Sequence, residues 1–440
     1  MIVKLLVDKK LIPDDGSKQI LNMFENKLDA KHSKVIIYPD IHYKRGSRVV
    51  NGMLYSSDKY ILPAGLGVDN CGFTVGKIIT KLSDEELQES FMRYTTNRRK
   101  KRYKEIEIKK LFSEYIKQDF FEKKELYKFL GIDTIEHLLL ITEKIMKKDI
   151  LNLVAGSLGN LGGGNHFFEL HEVIESDIEK HFTKGDKICF LHSDSIAVGD
   201  YVNCLFSNLS ELDVVEKSRE RKRKFRKMQI VFFAKNGLLF RDTRNVCRLL
   251  FSQRDYRVLD MSSETGKLLL LYHNFAAVFG DMNRDTILNE WAGLSHINYK
   301  KLFSHSHDSI LVEEYNGKPL VMQRNGVQFL DNDDFYVLPG AMGTCAYILK
   351  NPKNRKAYYS ANHGTGRFHD KHIARKMYSK EETIQDLEKK KIKFYKIGNG
   401  NIAEQSYKAF KSVDEIIAEM KKRNLGKVVV KMQPFAIMKG

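Results

Sequence analysis

The unusual part of this 440-residue sequence is a series of short glycine-bearing islands that carry His, Asp, Asn or Cys. The first three are Tyr38-Pro39-Asp40-Ile41-His42, Leu66-Gly67-Val68-Asp69-Asn70-Cys71-Gly72, and the run from Gly156 to Glu169 that contains Gly162-Gly163-Gly164-Asn165-His166. Next come Leu191-His192-Ser193-Asp194-Ser195 and Ser304-His305-Ser306-His307-Asp308. The last two are Pro339-Gly340-Ala341-Met342-Gly343 and Ser360-Ala361-Asn362-His363-Gly364-Thr365-Gly366-Arg367. A carboxylate and a thiolate two residues apart, Asp69 and Cys71, suit a divalent cation. The soft sulfur is able to bridge two ions, and imidazoles such as His166, His192 and His307 would complete the shell. There is no second cysteine pair at zinc-finger spacing, which argues against a structural zinc site. Glycine-rich loops expose backbone N–H groups to phosphate, and a divalent cation neutralises its charge. By chemistry alone the islands point to a metal enzyme acting on a phosphorylated ligand. Taken singly, each also has a structural reading: a lone His is usually a satisfied residue, a lone Cys a small hydrophobe, and Gly-Gly-Gly a tight loop.

Strand-like apolar runs recur between the islands, at Val35-Ile36-Ile37-Tyr38, Ile188-Cys189-Phe190-Leu191, Phe335-Tyr336-Val337-Leu338 and Val428-Val429-Val430. Amphipathic, Lys-rich stretches over 84–130, 134–154, 262–291, 380–392 and 413–423 predict helices. The mixture predicts an α/β or α+β fold with irregular glycine-bearing loops. No Gly-x-x-x-x-Gly-Lys-Ser/Thr is present, which argues against a P-loop. Hydrophobic residues make up 42% of the chain and exclude a disordered class. The formal charge of +18 should attract polyanions, nucleic acid first and an acidic membrane surface second, unless it only reflects a Lys-rich proteome. Two charge-dense pieces, Asn97 to Arg102 and Lys217 to Lys224, read as surface elaborations: either solvated helix faces or surfaces that track RNA phosphate. No apolar stretch approaches the ~18 residues of a membrane span, so none is expected, and Met1 to Asp8 is too short and too quickly interrupted to predict a signal peptide. Five irregularly spaced cysteines argue for a reducing compartment, so a cytoplasmic location is expected.

The order and wording of the islands resemble the RtcB family of RNA-splicing ligases, from Pro39 onward, with poor matches near 84–150 and 200–255. The resemblance implies the family's own α/β fold, with central β-sheets flanked by helices, neither Rossmann nor P-loop. It implies one ligase domain over 1–440 in which 84–150 and 200–255 are divergent basic helical elaborations. It further implies two Mn²⁺ ions, GTP as cofactor, and RNA as substrate, with cleaved tRNA or rRNA the expected kind. In the family scheme a His is guanylylated, GMP passes to an RNA 3′-phosphate (opened first from a 2′,3′-cyclic phosphate), and a 5′-hydroxyl attacks the activated end. The nucleophile falls on His363, with Arg367 beside it to hold phosphate. The metal ligands fall on Asp69, Cys71, His166, His192 and His307, with His305 and His273 as fallbacks for the last. Nucleotide contacts fall on Asn165, Glu169, Asp308, His363, Thr365 and Lys439, the last because the chain ends in Lys439-Gly440 as family members do. Asp40 and Arg324 are expected near RNA phosphate. A helper protein is left open.

Several positions depart from the family pattern. The Asp69-Asn70-Cys71 segment is one residue short. The motif His-x-Gly-Ser-Arg-Gly reads His192-Ser193-Asp194-Ser195-Ile196-Ala197, and Arg-Lys-Gly reads Arg324-Asn325-Gly326. Asp308 stands in place of the usual Asn, and Ala341 and Ala346 replace serines. The metal set and nucleophile are kept while two cations expected near RNA are lost, each contact typically worth ~1.5–3 kcal/mol. The leading expectation is an RNA-repair ligase. Competing readings are a 3′-end guanylyl-capping enzyme without efficient joining, and a non-catalytic RNA-binding relic.

Overall fold

The computed structural model describes residues 2–13, 15–44, 47–65, 70–97, 103–146, 148–206, 231, 258–330, 333–398 and 400–440. Asp69, the basic run 98–102 and most of 200–255 lie outside the described residues.

Two sheets carry the scaffold. The first has five strands, in spatial order Val3–Leu5, Ser33–Tyr43, Val50–Ser57, Lys318–Asn325 and Asp308–Tyr315. The second has eight. Its path runs Phe335–Leu338, Ala346–Lys350, Lys427–Lys439, Phe167–Ser176, Lys187–Ser193, Gly72–Ile78 and Tyr299–Ser306, and Lys393–Lys396 pairs alongside Lys427–Lys439. Pairing within both sheets is antiparallel, apart from Val3–Leu5 on Ser33–Tyr43 and Lys393–Lys396 on Lys427–Lys439. This is a mixed α/β protein, and among the described residues there is no parallel sheet of a doubly wound fold.

The strand Lys187–Ser193 shows why continuous apolar runs were needed. Its residues alternate between two cores: Cys189 and Leu191 pack with Leu288 and Trp291, while Ile188 and Phe190 pack with Phe73, Val75 and Val430. A strand covered on both faces has no polar side to show. Burial of each such large side chain stabilises by about 1.5–3 kcal/mol.

One 32-residue helix, Glu264–Ser295, lies against this sheet. Ser263 caps its start by accepting from the Gly266 N–H, and left-handed His296 ends it. Two of the other predicted helices are subdivided, while 380–392 and 413–423 each hold one helix, Lys380–Lys389 and Val413–Lys422. The stretch 84–130 forms Asp84–Asn97, Glu105–Glu122 and Lys124–Leu130, closed by left-handed Gly131. The stretch 134–154 breaks after Ile145 into Ile135–Ile145 and Lys148–Ser157. Among the described residues, no helix is long and apolar enough to cross a membrane.

Candidate metal and nucleophile site

Strand register gathers residues that are far apart in sequence. Gly72 and Phe73 lie opposite Ser193 and His192, and His192 also lies opposite Phe167. Cys71 precedes the first of these strands and His166 precedes Phe167, so three donors meet at one end of the sheet. His307 joins them at the junction of Tyr299–Ser306 and Asp308–Tyr315, where its N–H donates to the Cys71 carbonyl at 2.9 Å.

The long helix braces these loops from below. Asn283 accepts from the Gly159 N–H at 2.8 Å and donates to the carbonyls of Asn160 and Asp194 at 3.0 and 3.1 Å. Arg284, buried and paired with Asp281, donates to the Ser193 carbonyl. A Cβ at position 72 would stand 2.6 Å from the Arg284 guanidinium carbon, which explains the glycine after Cys71.

Two donor groups result, each with ligand atoms within 4.8 Å of one another: Cys71, His166 and His192, and Cys71, His307 and Asp308. Cys71 Sγ lies 3.2 Å from His166 Nε2. Burial holds His192 and His307 well below the ordinary histidine range, and neighbouring charge adds to the effect, so both imidazoles are neutral with lone pairs available. Buried His192 Nε2 and His307 Nδ1 have no hydrogen-bond partner. A cysteine sulfur, imidazoles with unsatisfied nitrogens and a carboxylate fit divalent transition-metal ions, and one shared sulfur fits two of them.

The fallback residues lie elsewhere. His305 pairs with Asp333 at 2.7 Å, and His273 contacts Asn70 along the long helix. Neither belongs to a donor group among the described residues.

His363 follows the strand Ser360–Asn362, whose Asn362 pairs with Val327, and the Val327 N–H donates to the His307 carbonyl. The His363 and His307 rings are 4.9 Å apart between centroids. Asp40, fully buried, accepts at one carboxylate oxygen from His363 Nδ1 at 2.6 Å and from the His363 N–H at 3.1 Å. Burial pulls the His363 pKa down, but the hydrogen bond and charge of Asp40, with Asp308 nearby, hold it above its ordinary value. Three glycines make room for this pair. A Cβ on Gly52 would lie 2.6 Å from the Asp40 carboxylate, one on Gly366 2.2 Å from its carbonyl, and one on Gly326 2.9 Å from the His363 ring.

A cleft of about 670 Å³ opens onto this pair and includes Asn165, Phe167, Glu169, His192, Ala341, His363, Thr365, Arg367 and Lys439 in its walls. Lys439 lies opposite Phe167 in the sheet and donates to the Asn165 carbonyl at 3.0 Å. Burial lowers its pKa to about 7 despite the charge of Glu169. Arg367 stacks on Phe410, and burial lowers its pKa to about 10. Its Nη1 donates to the Glu404 carbonyl, and its buried Nη2 has no partner. Glu169 also contacts His171 at 2.9 Å.

Two expectations about RNA phosphate need correction. Asp40 is committed to His363. Arg324 is buried, with its guanidinium on Glu313 at 2.5 and 3.1 Å and on Ser360, and presents no cation to solvent. Asn325, where a Lys was expected, donates to the Val50 carbonyl. Ile196 has φ of +48° and takes its N–H to Asp194. Ala346 is a buried strand residue opposite Met432 and not part of the cleft wall. Gly52 was not singled out in the sequence, and Gly326 was named only as a motif position; their signal was a glycine inside a strand or directly after one, where close approach is the usual reason.

A mixed α/β scaffold that converges a thiolate, imidazoles and a carboxylate-bound histidine on one cleft has the make-up of a metal-site enzyme. The family is shown by comparison: the model described as tRNA-splicing ligase RtcB matches residues 24–440, and the chain belongs to the RtcB family. It is similar to the RNA-splicing ligase RtcB of Escherichia coli K12, at 20% identity over all of this chain and 97% of that protein. It is also similar to the tRNA-splicing ligases RtcB of Aeropyrum pernix (24% identity, 65% of this chain) and Pyrococcus horikoshii (23%, 65%). The chain spans 60% of the length of the Aeropyrum protein and 33% of the Pyrococcus one.

Proposed function

We propose that this chain is a Mn²⁺-dependent, GTP-using RNA ligase. It joins RNA 3′-phosphate or 2′,3′-cyclic phosphate ends to 5′-hydroxyl ends through a guanylylated His363, in RNA repair. The observation that carries the reading is the Asp40–His363 pair, whose His363 lines a cleft beside the two donor groups.

Cys71, His166, His192, His307 and Asp308 would hold the metal, with Asp69 an expected further ligand. When bound, the ions neutralise phosphate charge in the cleft. The rest is the work of side chains. An ionised carboxylate only accepts, so Asp40 fixes the proton of His363 on Nδ1 and leaves the lone pair on Nε2. That lone pair forms the bond to the α-phosphorus of GTP as the bond to the β-phosphate breaks and pyrophosphate leaves. Asp40 then neutralises the positive imidazole that this step creates, and its pull on the His363 pKa is the same interaction seen from the ground state. Arg367, with one guanidinium nitrogen unsatisfied, suits phosphate. Lys439, Asn165, Glu169 and Thr365 line the same cleft, which supports the reading that they contact the nucleotide. GMP then passes from His363 to the RNA 3′-phosphate, and the 5′-hydroxyl displaces it.

The enclosure of Arg324 and the amide at Asn325 favour a second reading, guanylyl transfer to a 3′-end without efficient joining. One experiment tests both. Protein and Mn²⁺ are incubated with α-labelled GTP, then with 3′-phosphate and 5′-hydroxyl RNA fragments. Labelled protein that His363→Ala abolishes, followed by joined RNA, supports the ligase. Label that passes to RNA without joining supports capping. Unlabelled wild-type protein refutes both.

A further inference from the structure

One carboxylate beside the donor groups has no counterpart in the motif the chain resembles. Where that motif has glycine, the chain has Asp194, two residues after His192. Asp194 is buried, at the turn between the strand Lys187–Ser193 and the helix Ile196–Phe206. Its two oxygens divide their tasks. Oδ1 accepts from the Ile196 N–H at 2.9 Å, which fixes the carboxylate plane. Oδ2 is directed to His166 and lies 3.6 Å from Nε2. The same His166 nitrogen is 3.2 Å from Cys71 Sγ. Two ligand atoms of one ion with bonds of about 2.0–2.3 Å stand roughly 3–4 Å apart, so the Asp194–His166 separation is already that of two ligands sharing a cation. The Asp194 backbone is held as well, since its carbonyl accepts from Asn283.

We propose that Asp194 is a carboxylate ligand of the cation held by Cys71, His166 and His192. The inference rests on the metal-site reading above and adds a ligand to it. It also accounts for a pattern in the departures. Asp194 replaces a glycine at one donor group and Asp308 an asparagine at the other, while Ile196 and Asn325 replace cations nearby. One acquired carboxylate, Asp308, thus belongs to a donor group, and the other, Asp194, adjoins the second group through His166; as ligands both would shift the donor set toward oxygen and favour harder divalent ions such as Mn²⁺.

The test titrates Co²⁺ and Mn²⁺ into metal-free full-length protein, following the cobalt–thiolate absorption band and, for Mn²⁺, the free-ion resonance signal. Asp194→Asn keeps an acceptor for the Ile196 N–H, and thermal melting of the metal-free protein checks that the turn is intact. Should that variant not fold, Asp194→Ser supplies a shorter acceptor. The expected result is one ion weakened by at least the roughly 10–100-fold typical of losing a residue that only orients a ligand, with the visible spectrum of bound cobalt altered. Affinities within threefold of wild type and an unchanged spectrum would overturn the proposal. Cys71→Ser separates the two layers. If it removes the thiolate band and weakens binding while Asp194→Asn does neither, only the Asp194 assignment fails. If Cys71→Ser itself leaves binding and spectrum intact, the metal-site reading fails, and the Asp194 assignment with it.

Discussion

Replacing Asp40 with asparagine should nearly silence guanylylation while leaving the fold and GTP binding in place. The wild-type carboxylate is fully buried and receives two hydrogen bonds from His363, from Nδ1 at 2.6 Å and from the main chain at 3.1 Å. An asparagine oxygen still serves the main-chain donor. The charge-assisted bond is lost, which costs about 1.5–3 kcal/mol, or roughly 10–150-fold in rate if the loss falls wholly on the transition state. A second effect compounds it. The neutral asparagine oxygen that now takes both bonds holds the proton on Nδ1 less firmly, so the tautomer with the proton on Nε2, where the attacking lone pair should be, competes. In the Asp–His pair of serine hydrolases the same exchange costs about 10⁴-fold. The expected loss is therefore roughly 10²–10⁴-fold in the single-turnover rate of labelling from α-labelled GTP. Asp40 is not part of the cleft wall, so the GTP concentration for half-maximal labelling should change little. Only neutral imidazole attacks, so labelling rises with pH through the His363 pKa, which Asp40 holds above its ordinary value. Any residual activity of the variant should therefore rise at lower pH than wild type. A folded Asp40→Asn protein that labels within threefold of the wild-type rate would refute the assigned role.

Four further outcomes are expected. Gly326→Ala places a Cβ 2.9 Å from the His363 ring at a φ of +65°, so it should destabilise by at least ~1–2 kcal/mol and depress labelling, checked by denaturant melts and the same assay. His307→Ala should lose bound Mn²⁺ far more than His305→Ala or His273→Ala, as measured by metal analysis after desalting. Chelation of the ions should lower the melting temperature, since each ion present at 100 times its Kd stabilises by ~2.7 kcal/mol; an unmoved melting curve would argue against the donor groups. Lys439 has its folded pKa depressed to about 7, so the unfolded chain binds more protons between that value and the ordinary lysine range. Stability should thus rise with pH across this window, by an amount Lys439→Met removes, measured by urea unfolding at pH 7 and pH 9.5.

Much of the site was legible because its chemistry is written in residue types that few other roles demand together. Cys71, His166, His192 and His307 stood out in glycine-bearing islands, and the strand register brings them together. The choice of His307 over His305 rested on the motif around it, Asp308 to Glu313 with Gly317 and Arg324, because residues two apart in a strand share a face and local pattern does not separate His307 from His305, which pairs with Asp333. Asp40 was visible as an island residue, but its partner lies 323 positions away and no local pattern encodes that contact. Arg324 shows the opposite failure. A guanidinium in a motif suggests phosphate, yet Glu313 faces it from the neighbouring strand and takes it into the core. Helix breaks such as the one at Lys123 were hidden because Lys-rich amphipathic sequence continues across them.

The sulfur of Cys71 belongs to both donor groups, and this makes their occupancies interdependent. A ligand already bonded to one cation has less charge to offer a second, and the two like charges repel across it. By linkage, each bound ion weakens the other's hold by the same factor. Loading should then proceed in two separated steps as the free metal concentration rises, with a broad range in which one position is filled and the other empty. In the proposed ligase, which needs both ions, activity then follows the second and weaker step alone, so it rises gradually and at a higher metal concentration than the first position requires.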